Sequence, residues 1–417
     1  MLQYVHSFVS IHSPGAAAVA SALSTSSPKY RAQRLLLHNT RNYIGYSHRR
    51  QGFLRLYSTN EGDKKRIVFL GTPEVAASSL QSIYDASTLP EANFEVAAVV
   101  TQPPKRRKRK GKLEPSPVGK VAEDLGLSVL CPEKANEKGF LDHLADEVRP
   151  DLCITAAYGQ YLPKRFLATP VCGTVNIHPS LLPRWRGASP VQRSLEAGDN
   201  PVGVTVLYTV SKMDAGPIIA QEEKEIGENE TADKVLPMLF EIGTNLLLDK
   251  LPEILDGSIT METATPQDED QAVAAPLIHS SEAEFKVWEQ SARTCHNRLR
   301  GFAMWPGAFM YFQVGDREEI MKVKVTETRV VDGVAEPTDE VKLGPTKKSG
   351  LYVVCHDGSI LELLRVQPAT RKAFPARDFQ NGYPGETIRW VRTPEDQAAN
   401  PEKYNSKAKS TAWSFFY

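Results

Sequence analysis

Short apolar runs that alternate with helix-type stretches constrain the fold of this chain more than any other feature. Arg66-Ile67-Val68-Phe69-Leu70 leads into Gly71-Thr72-Pro73, after which Val75, Ala76, Leu80 and Ile83 recur along one helical face. Val96-Ala97-Ala98-Val99-Val100 is the next apolar run, and others stand at 127–130, 151–159, 174–178 and 202–210, with helical patterning at 115–125, 140–148 and 190–196 between them. Such alternation predicts a Rossmann-like, doubly wound and mostly parallel sheet. A dinucleotide fingerprint would need three spaced glycines after the first run; only Gly71 is present, so NAD binding is unsupported.

One of these runs carries chemistry. In Thr174-Val175-Asn176-Ile177-His178-Pro179-Ser180-Leu181-Leu182-Pro183, Asn176 and His178 are two residues apart and so point to one face of a strand. Pro179 and Pro183 stop the strand just past His178 and stiffen the loop that follows. The carboxyl edge of an open α/β sheet is where ligands bind, so this strand delivers two polar heads to that edge. A histidine at a strand end can also be purely structural, with both ring nitrogens bonded to nearby carbonyls.

The Asn-x-His pair and the Ser180-Leu181-Leu182-Pro183 loop resemble the signature of the folate-dependent formyltransferases. Asp214, in Met213-Asp214-Ala215-Gly216-Pro217, matches the acid that completes that family's site. It lies 36 residues beyond His178, which suits a helix and a strand returning to the same edge. By itself, Asp-x-Gly is more often an ordinary Asx turn. The resemblance implies 10-formyltetrahydrofolate as formyl donor, with no metal, and Asn176, His178 and Asp214 as catalytic residues. Asn176 would offer an N–H to a developing oxyanion. His178 would donate to the same oxygen or move a proton. Asp214 would orient the imidazole, or take the amine's proton through water. Backbone groups around Ala157, Tyr158, Gly159 and Gln160 would hold the flat heterocycle, although a plain strand-to-helix turn would read alike. Ser180 would cap the loop, while Leu181, Leu182 and Pro183 would wall the pocket. Pro179 departs from the pattern, which has glycine there, and removes one backbone N–H.

Arg184-Trp185-Arg186-Gly187 is most similar to members of the family that formylate methionyl initiator tRNA. Arg184 and Arg186 would contact RNA phosphates or flank a packed tryptophan. Between positions 105 and 112 stand seven positive side chains, Lys105, Arg106, Arg107, Lys108, Arg109, Lys110 and Lys112. A run of this kind is often no more than a solvated loop or an address signal. Beside the ligand edge it suits RNA phosphates, whose neutralisation releases counterions, and the resembling family carries a basic insertion here for the acceptor end of tRNA.

The predicted organisation is a transit peptide over 1–58, a catalytic domain over 64–254, a polar acidic linker over 255–281, a C-terminal domain over 282–393 and a polar tail over 394–417. Within the C-terminal part, 285–300 reads as a helix. Short strands at 308–314, 320–325, 351–356 and 359–365 suggest a small β-barrel, which the resemblance identifies as OB-like and tRNA-binding. The first sixty residues hold seven Lys or Arg and no Asp or Glu, leaving 43 basic against 50 acidic residues in the remainder. Together with Arg55-Leu56-Tyr57-Ser58, which resembles a mitochondrial processing site, this points to the mitochondrial matrix, with the plastid second. No run of eighteen apolar residues suits a membrane span, and the five cysteines form no close pair suited to metal or disulfide. A monomer is expected. Two other readings share these residues: a formyltetrahydrofolate hydrolase or small-amine formyltransferase, and a noncatalytic RNA-binding protein on the same fold.

Overall fold

The computed structural model describes residues 64–106 and 111–393. The segments 1–58 and 394–417, and Arg107, Lys108, Arg109 and Lys110 of the basic run, lie outside the described residues.

The first half of the fold follows from its apolar runs. Strand β1 (Lys65–Gly71) leads through helix α1 (Glu74–Ser87) to β2 (Phe94–Val100). A two-residue hairpin, β3 (Lys105–Arg106) with β4 (Leu113–Glu114), precedes α2 (Pro117–Asp124), whose N-cap Ser116 accepts from Gly119 N. Then come β5 (Val129–Leu130), α3 (Lys138–His143), β6 (Leu152–Ala156), α4 (Lys164–Leu167) and β7 (Thr174–His178). After the short β8 (Arg186–Gly187) and α5 (Pro190–Ala197), strands β9 (Val202–Tyr208) and β10 (Ile218–Lys224) complete the sheet, and the long α6 (Ala232–Leu255) crosses one face. The strand order is β10-β9-β7-β6-β1-β2-β5. The five strands from β7 to β5 are parallel, and β9 and β10 run antiparallel at one edge.

The order turns back at β1, with β2 on one side and β6 on the other, so the switch point lies between the carboxyl ends of β1 and β6. Gly71 ends β1 opposite Ala156, and a Cβ there would come within 2.7 Å of Ala76 Cβ, so α1 packs against the strand end only because no side chain intervenes. On the other face, α3 and α4 bury Leu141 and Phe166 against Val68, Leu70, Ala98, Val100 and Cys153. A Cβ on Gly243 of α6 would stand 2.6 Å from Ile177, which places Ile177 on the α6 face of β7. By strand alternation, Asn176 and His178 face the opposite way.

The C-terminal half comprises β11 (Ala274–Ala275), α7 (Ala292–Phe302), β12 (Ala308–Val314), β13 (Ile320–Val334), β14 (Glu340–Leu343), β15 (Leu351–Val354), β16 (Ser359–Pro368), β17 (Phe374–Pro375), α8 (Ala376–Asn381) and β18 (Ile388–Val391). Strands β13-β12-β18-β14-β15-β16 form an antiparallel barrel that closes by pairing of β13 with β16.

One expectation changes here. Residues 285–291 are not helical: α7 starts at Ala292, where Ser291 accepts from Thr294 N. Phe285 and Val287 are fully buried in the barrel core instead, and Phe285 N donates to Phe309 O. Their apolar spacing reports barrel packing rather than a helical face. Residues 255–281 run between the two halves and pack against the first of them on the way. Thr265 bridges to Ile218, and β11 pairs in parallel with β8. Among the described residues, no helix is long and apolar enough to cross a membrane.

Candidate active site

Asn176 and His178 reach the sheet edge from β7, and each is oriented by a neighbour. The hydroxyl of Thr155, on adjacent β6, lies 2.8 Å from Asn176 Oδ1 and donates to it, with the Val175 carbonyl at 3.1 Å sharing the proton. With its carbonyl oxygen engaged, the Asn176 carboxamide presents its N–H2 to the site. His178 Nε2 lies 2.9 Å from the Trp185 carbonyl oxygen. A carbonyl can only accept, so Nε2 carries the proton, and in the neutral ring Nδ1 is the bare lone pair. Nδ1 faces Asp214 Oδ1 at 3.8 Å.

Asp214 is held by its surroundings as much as by its own turn. Its φ of 48° is left-handed, unusual for a residue with a Cβ. Gly187 N donates to its Oδ2 at 2.9 Å, and Gln267 Nε2 donates to its carbonyl at 2.8 Å. Gly187 itself has φ 132°, and a Cβ there would meet the Ala275 carbonyl at 2.6 Å, so β8 and β11 approach this closely only with glycine.

The intervening loop is fastened at every step. Ser180 Oγ donates to the Arg184 carbonyl, and Thr205 Oγ1 donates to the Ser180 carbonyl while accepting from Leu182 N. Gln221 Nε2 reaches both the Leu182 carbonyl and Thr205 Oγ1. Leu182 and Pro179 are buried, whereas Leu181 and Pro183 are half-buried.

The turn after β6 lies beside β7 at the same edge. Ala157 is exposed with φ 47°, and Gly159 has φ 81°. Tyr158 is buried, and its carbonyl accepts from Thr72 Oγ1 and Gln102 Nε2. Burial pushes its phenol up to about 12, helped by the charges of Cys131 and Glu137. Gln160 accepts from Ala135 N through its side chain and donates to the Glu133 carbonyl. The outward-facing groups of this turn are therefore those of Ala157 and Gly159.

Of the residues expected to meet RNA, Arg106 and Lys112 are exposed around the β3–β4 hairpin. Gln102 accepts from Lys105 Nζ and donates to Tyr158, so the basic run leaves the sheet beside the turn after β6. Arg184 and Arg186 have partners within the chain. Arg184 forms a two-pronged pair with Asp199 at 3.0 and 2.9 Å and lies over the Trp185 ring at 4.4 Å. Burial would raise the Asp199 carboxyl, but hydrogen bonds from Arg184, Trp185 and Ser194 outweigh it and hold the group below its ordinary range. Arg186, with only 9 % of its side chain exposed, donates to Gln267 Oε1 and to both oxygens of Glu269. Hydrogen bonds from Arg186 and Lys212 bring the Glu269 carboxyl down to about 2. Arg186 is thus held as a loop anchor, while Arg184, with 45 % of its side chain exposed, pairs with Asp199 and flanks Trp185.

Sequence reasoning missed Thr155, Gly187, Gln267 and Glu269. Thr155 left a trace as the one hydroxyl in the apolar run 152–157; Gln267 and Glu269 lie in a polar stretch with no periodicity to mark them. Among the described residues, no three His, Cys, Asp or Glu side chains cluster so as to hold a metal ion.

Residues 65–251 match the family described as Formyl transferase, and residues 279–384 match Formyl transferase, C-terminal domain. The chain is 36 % identical over 318 residues to the methionyl-tRNA formyltransferase of Enterococcus faecalis, covering 76 % of this chain and 96 % of that protein. It is 36 % identical over 317 residues to the methionyl-tRNA formyltransferase of Bacillus licheniformis, covering 76 % and 95 %. Among solved structures, a sugar 3N-formyl transferase determined with dTDP and 5-N-formyl-THF superposes with a TM-score of 0.53 at 16 % identity, over 75 % of this chain and all of that one. An N-formyltransferase from Helicobacter canadensis superposes with a TM-score of 0.52 at 15 % identity, over 73 % and 99 %. The two superpositions speak to the fold.

Proposed function

We infer the reaction and its setting from one premise: this chain belongs to the methionyl-tRNA formyltransferase family. It is an enzyme that transfers a formyl group from 10-formyltetrahydrofolate to the amino group of methionyl initiator tRNA, the step that prepares that tRNA for translation initiation.

The observation that carries the mechanism is that Asn176 and His178 lie two residues apart on one face of β7, at its carboxyl end, with the Asp214 carboxylate 3.8 Å from His178 Nδ1. Formyl transfer begins when a neutral amine attacks the formyl carbon and an oxyanion develops on its oxygen. The Asn176 N–H2, aimed by Thr155, stabilises that oxyanion; removing such a donor typically costs about 3 kcal/mol of barrier lowering. The attacking amine becomes cationic and must lose a proton. His178 Nδ1 is the free base in reach, because Trp185 fixes the other nitrogen as donor. Asp214, 3.8 Å from Nδ1, stabilises the imidazolium that results. Collapse of the tetrahedral intermediate then breaks the bond to the folate nitrogen, which takes up the proton from His178. The outward backbone groups of Ala157 and Gly159 suit the donor's flat ring, and the basic run beside them suits the tRNA acceptor end.

The net charge of +7 over the first sixty residues and the processing-like Arg55-Leu56-Tyr57-Ser58 support action in the mitochondrial matrix, the plastid being the second choice. Transfer of labelled formyl to methionyl initiator tRNA, with His178→Ala as control, tests reaction and site together. Label that persists in the control refutes the role of His178, and free formate without labelled tRNA marks a hydrolase. A reporter fused to residues 1–58 tests the address; cytosolic fluorescence would refute it.

A further inference from the structure

We propose that Gln267 is a positioning residue for Asp214, which makes residues 265–275 part of the catalytic apparatus. The proposal rests on the assignment of Asp214 made above.

Gln267 spends every polar atom of its carboxamide on this corner of the molecule. Nε2 donates to the Asp214 carbonyl at 2.8 Å and to the Gly216 carbonyl at 2.7 Å, so both amide hydrogens clamp the turn 214–216. Oε1 accepts from Arg186 Nε at 2.9 Å. Arg186 belongs to β8, and its neighbour Gly187 donates the N–H that holds the Asp214 carboxylate. One side chain thus joins the backbone that carries Asp214 to the loop that fixes its oxygen. Asp tolerates the left-handed φ of this turn better than most residues with a Cβ, and the clamp fixes where the turn presents its carboxylate.

The clamp is itself braced. Thr265 exchanges two backbone hydrogen bonds with Ile218, Val273 N donates to the Pro183 carbonyl, and Ser189 N donates to the Ala275 carbonyl. Glu269 accepts from Arg186 and from Lys212, which stands two residues before Asp214. The segment is stitched on both sides of Gln267, so its side chain is aimed by fixed backbone. A gap of 3.8 Å between His178 and Asp214 leaves little tolerance. A misplacement of about 1 Å at a reacting centre can cost about 100-fold in rate.

Gln267→Glu in the full chain discriminates this role from a structural one. A carboxylate keeps the acceptor for Arg186 and strengthens it, while it loses both donors and sets a negative charge against the Asp214 and Gly216 carbonyls. If Gln267 only anchors Arg186, the variant behaves as the parent. If it positions Asp214, kcat falls about 10- to 100-fold, with KM for both substrates within about twofold and a near-parental melting temperature. The double variant with Asp214→Asn is then no slower than Asp214→Asn alone, because one residue acts through the other. Gln267→Asn, uncharged but too short to reach, lowers kcat in the same way and serves if the glutamate variant does not fold. Parental kcat in either folded variant, or losses that multiply in the double variant, overturn the proposal. Parental kcat in Asp214→Asn alone locates the failure in the assignment of Asp214.

Discussion

His178 Nδ1 and Asp214 Oδ1 stand 3.8 Å apart, beyond hydrogen-bond length, while the opposite ring nitrogen is committed to the Trp185 carbonyl. With a neutral ring, lone pair faces carboxylate and neither can donate, so the pair favours a proton arriving between them. An amine attacking a formyl carbon releases such a proton. Asp214→Asn keeps shape and removes charge, and we expect kcat to drop at least about 100-fold, with KM for methionyl-tRNA nearly unchanged. Single-turnover transfer is the measurement, and a loss confined to KM would argue for substrate binding instead.

Thr155 separates orientation from chemistry at Asn176. Thr155→Val is nearly isosteric and frees the Asn176 carboxamide to rotate, because the donor to its Oδ1 is gone. We expect kcat to fall roughly tenfold, less than the 100- to 1,000-fold typical when an oxyanion donor is removed, as Asn176→Ala would do. Equal losses in the two variants would contradict this ordering.

How far these features could be read from sequence depends on how local their causes are. Strand β7 and its loop were legible because Asn176, His178, Pro179 and Pro183 carry alternation and backbone restriction within a few positions. The parallel sheet was legible for the same reason. Gln267 was not: its partners are 53, 51 and 81 residues away, and nothing within 255–281 repeats with a strand or helix period. Phe285 and Val287 misled, because barrel packing and a helical face can share one spacing over a few residues. Arg184 and Arg186 show the limit for charge: sequence gives the cation, but the fold chose Asp199 and Glu269 as its partners.

His296 makes stability depend on pH. It is buried where the two halves of the chain meet, with Nε2 donating to the Glu228 carbonyl and Nδ1 accepting from the Thr328 hydroxyl. Burial pulls its pKa below the ordinary 6.5, against the smaller opposing effect of the Glu228 hydrogen bond. The unfolded chain then binds the proton more readily, so this contribution is complete above pH 6.5 and is lost as pH falls toward the lowered folded value. The urea midpoint of the parent should drop between pH 7.5 and 5.5 by more than that of His296→Gln, measured in the same buffers.

The basic run predicts a salt signature. With the seven cations of residues 105–112 replaced by glutamine, we expect KM for methionyl-tRNA to rise and kcat at saturation to hold. The slope of log affinity against log salt should shrink by about 0.7 to 0.9 for each phosphate that is no longer neutralised. An unchanged slope would mean that the run is a solvated loop.

Gly301 tests how the halves are joined. It sits in α7, facing α5, and a Cβ there would come within 2.5 Å of the Gln192 carbonyl oxygen. That atom is backbone, so rotation of a side chain cannot relieve the clash and the helices must move apart. Nearby, Arg193 pairs with Glu196 and Glu282, and Arg298 pairs with Glu196, so separation would also stretch this partly buried network. Alanine normally favours a helix over glycine by nearly 1 kcal/mol, and overpacking costs about 1–3 kcal/mol. The two effects oppose each other, and the approach to backbone decides the sign: Gly301→Ala should lower the melting temperature. A rise would show that the helix packing has slack, and that Gly301 serves no packing need.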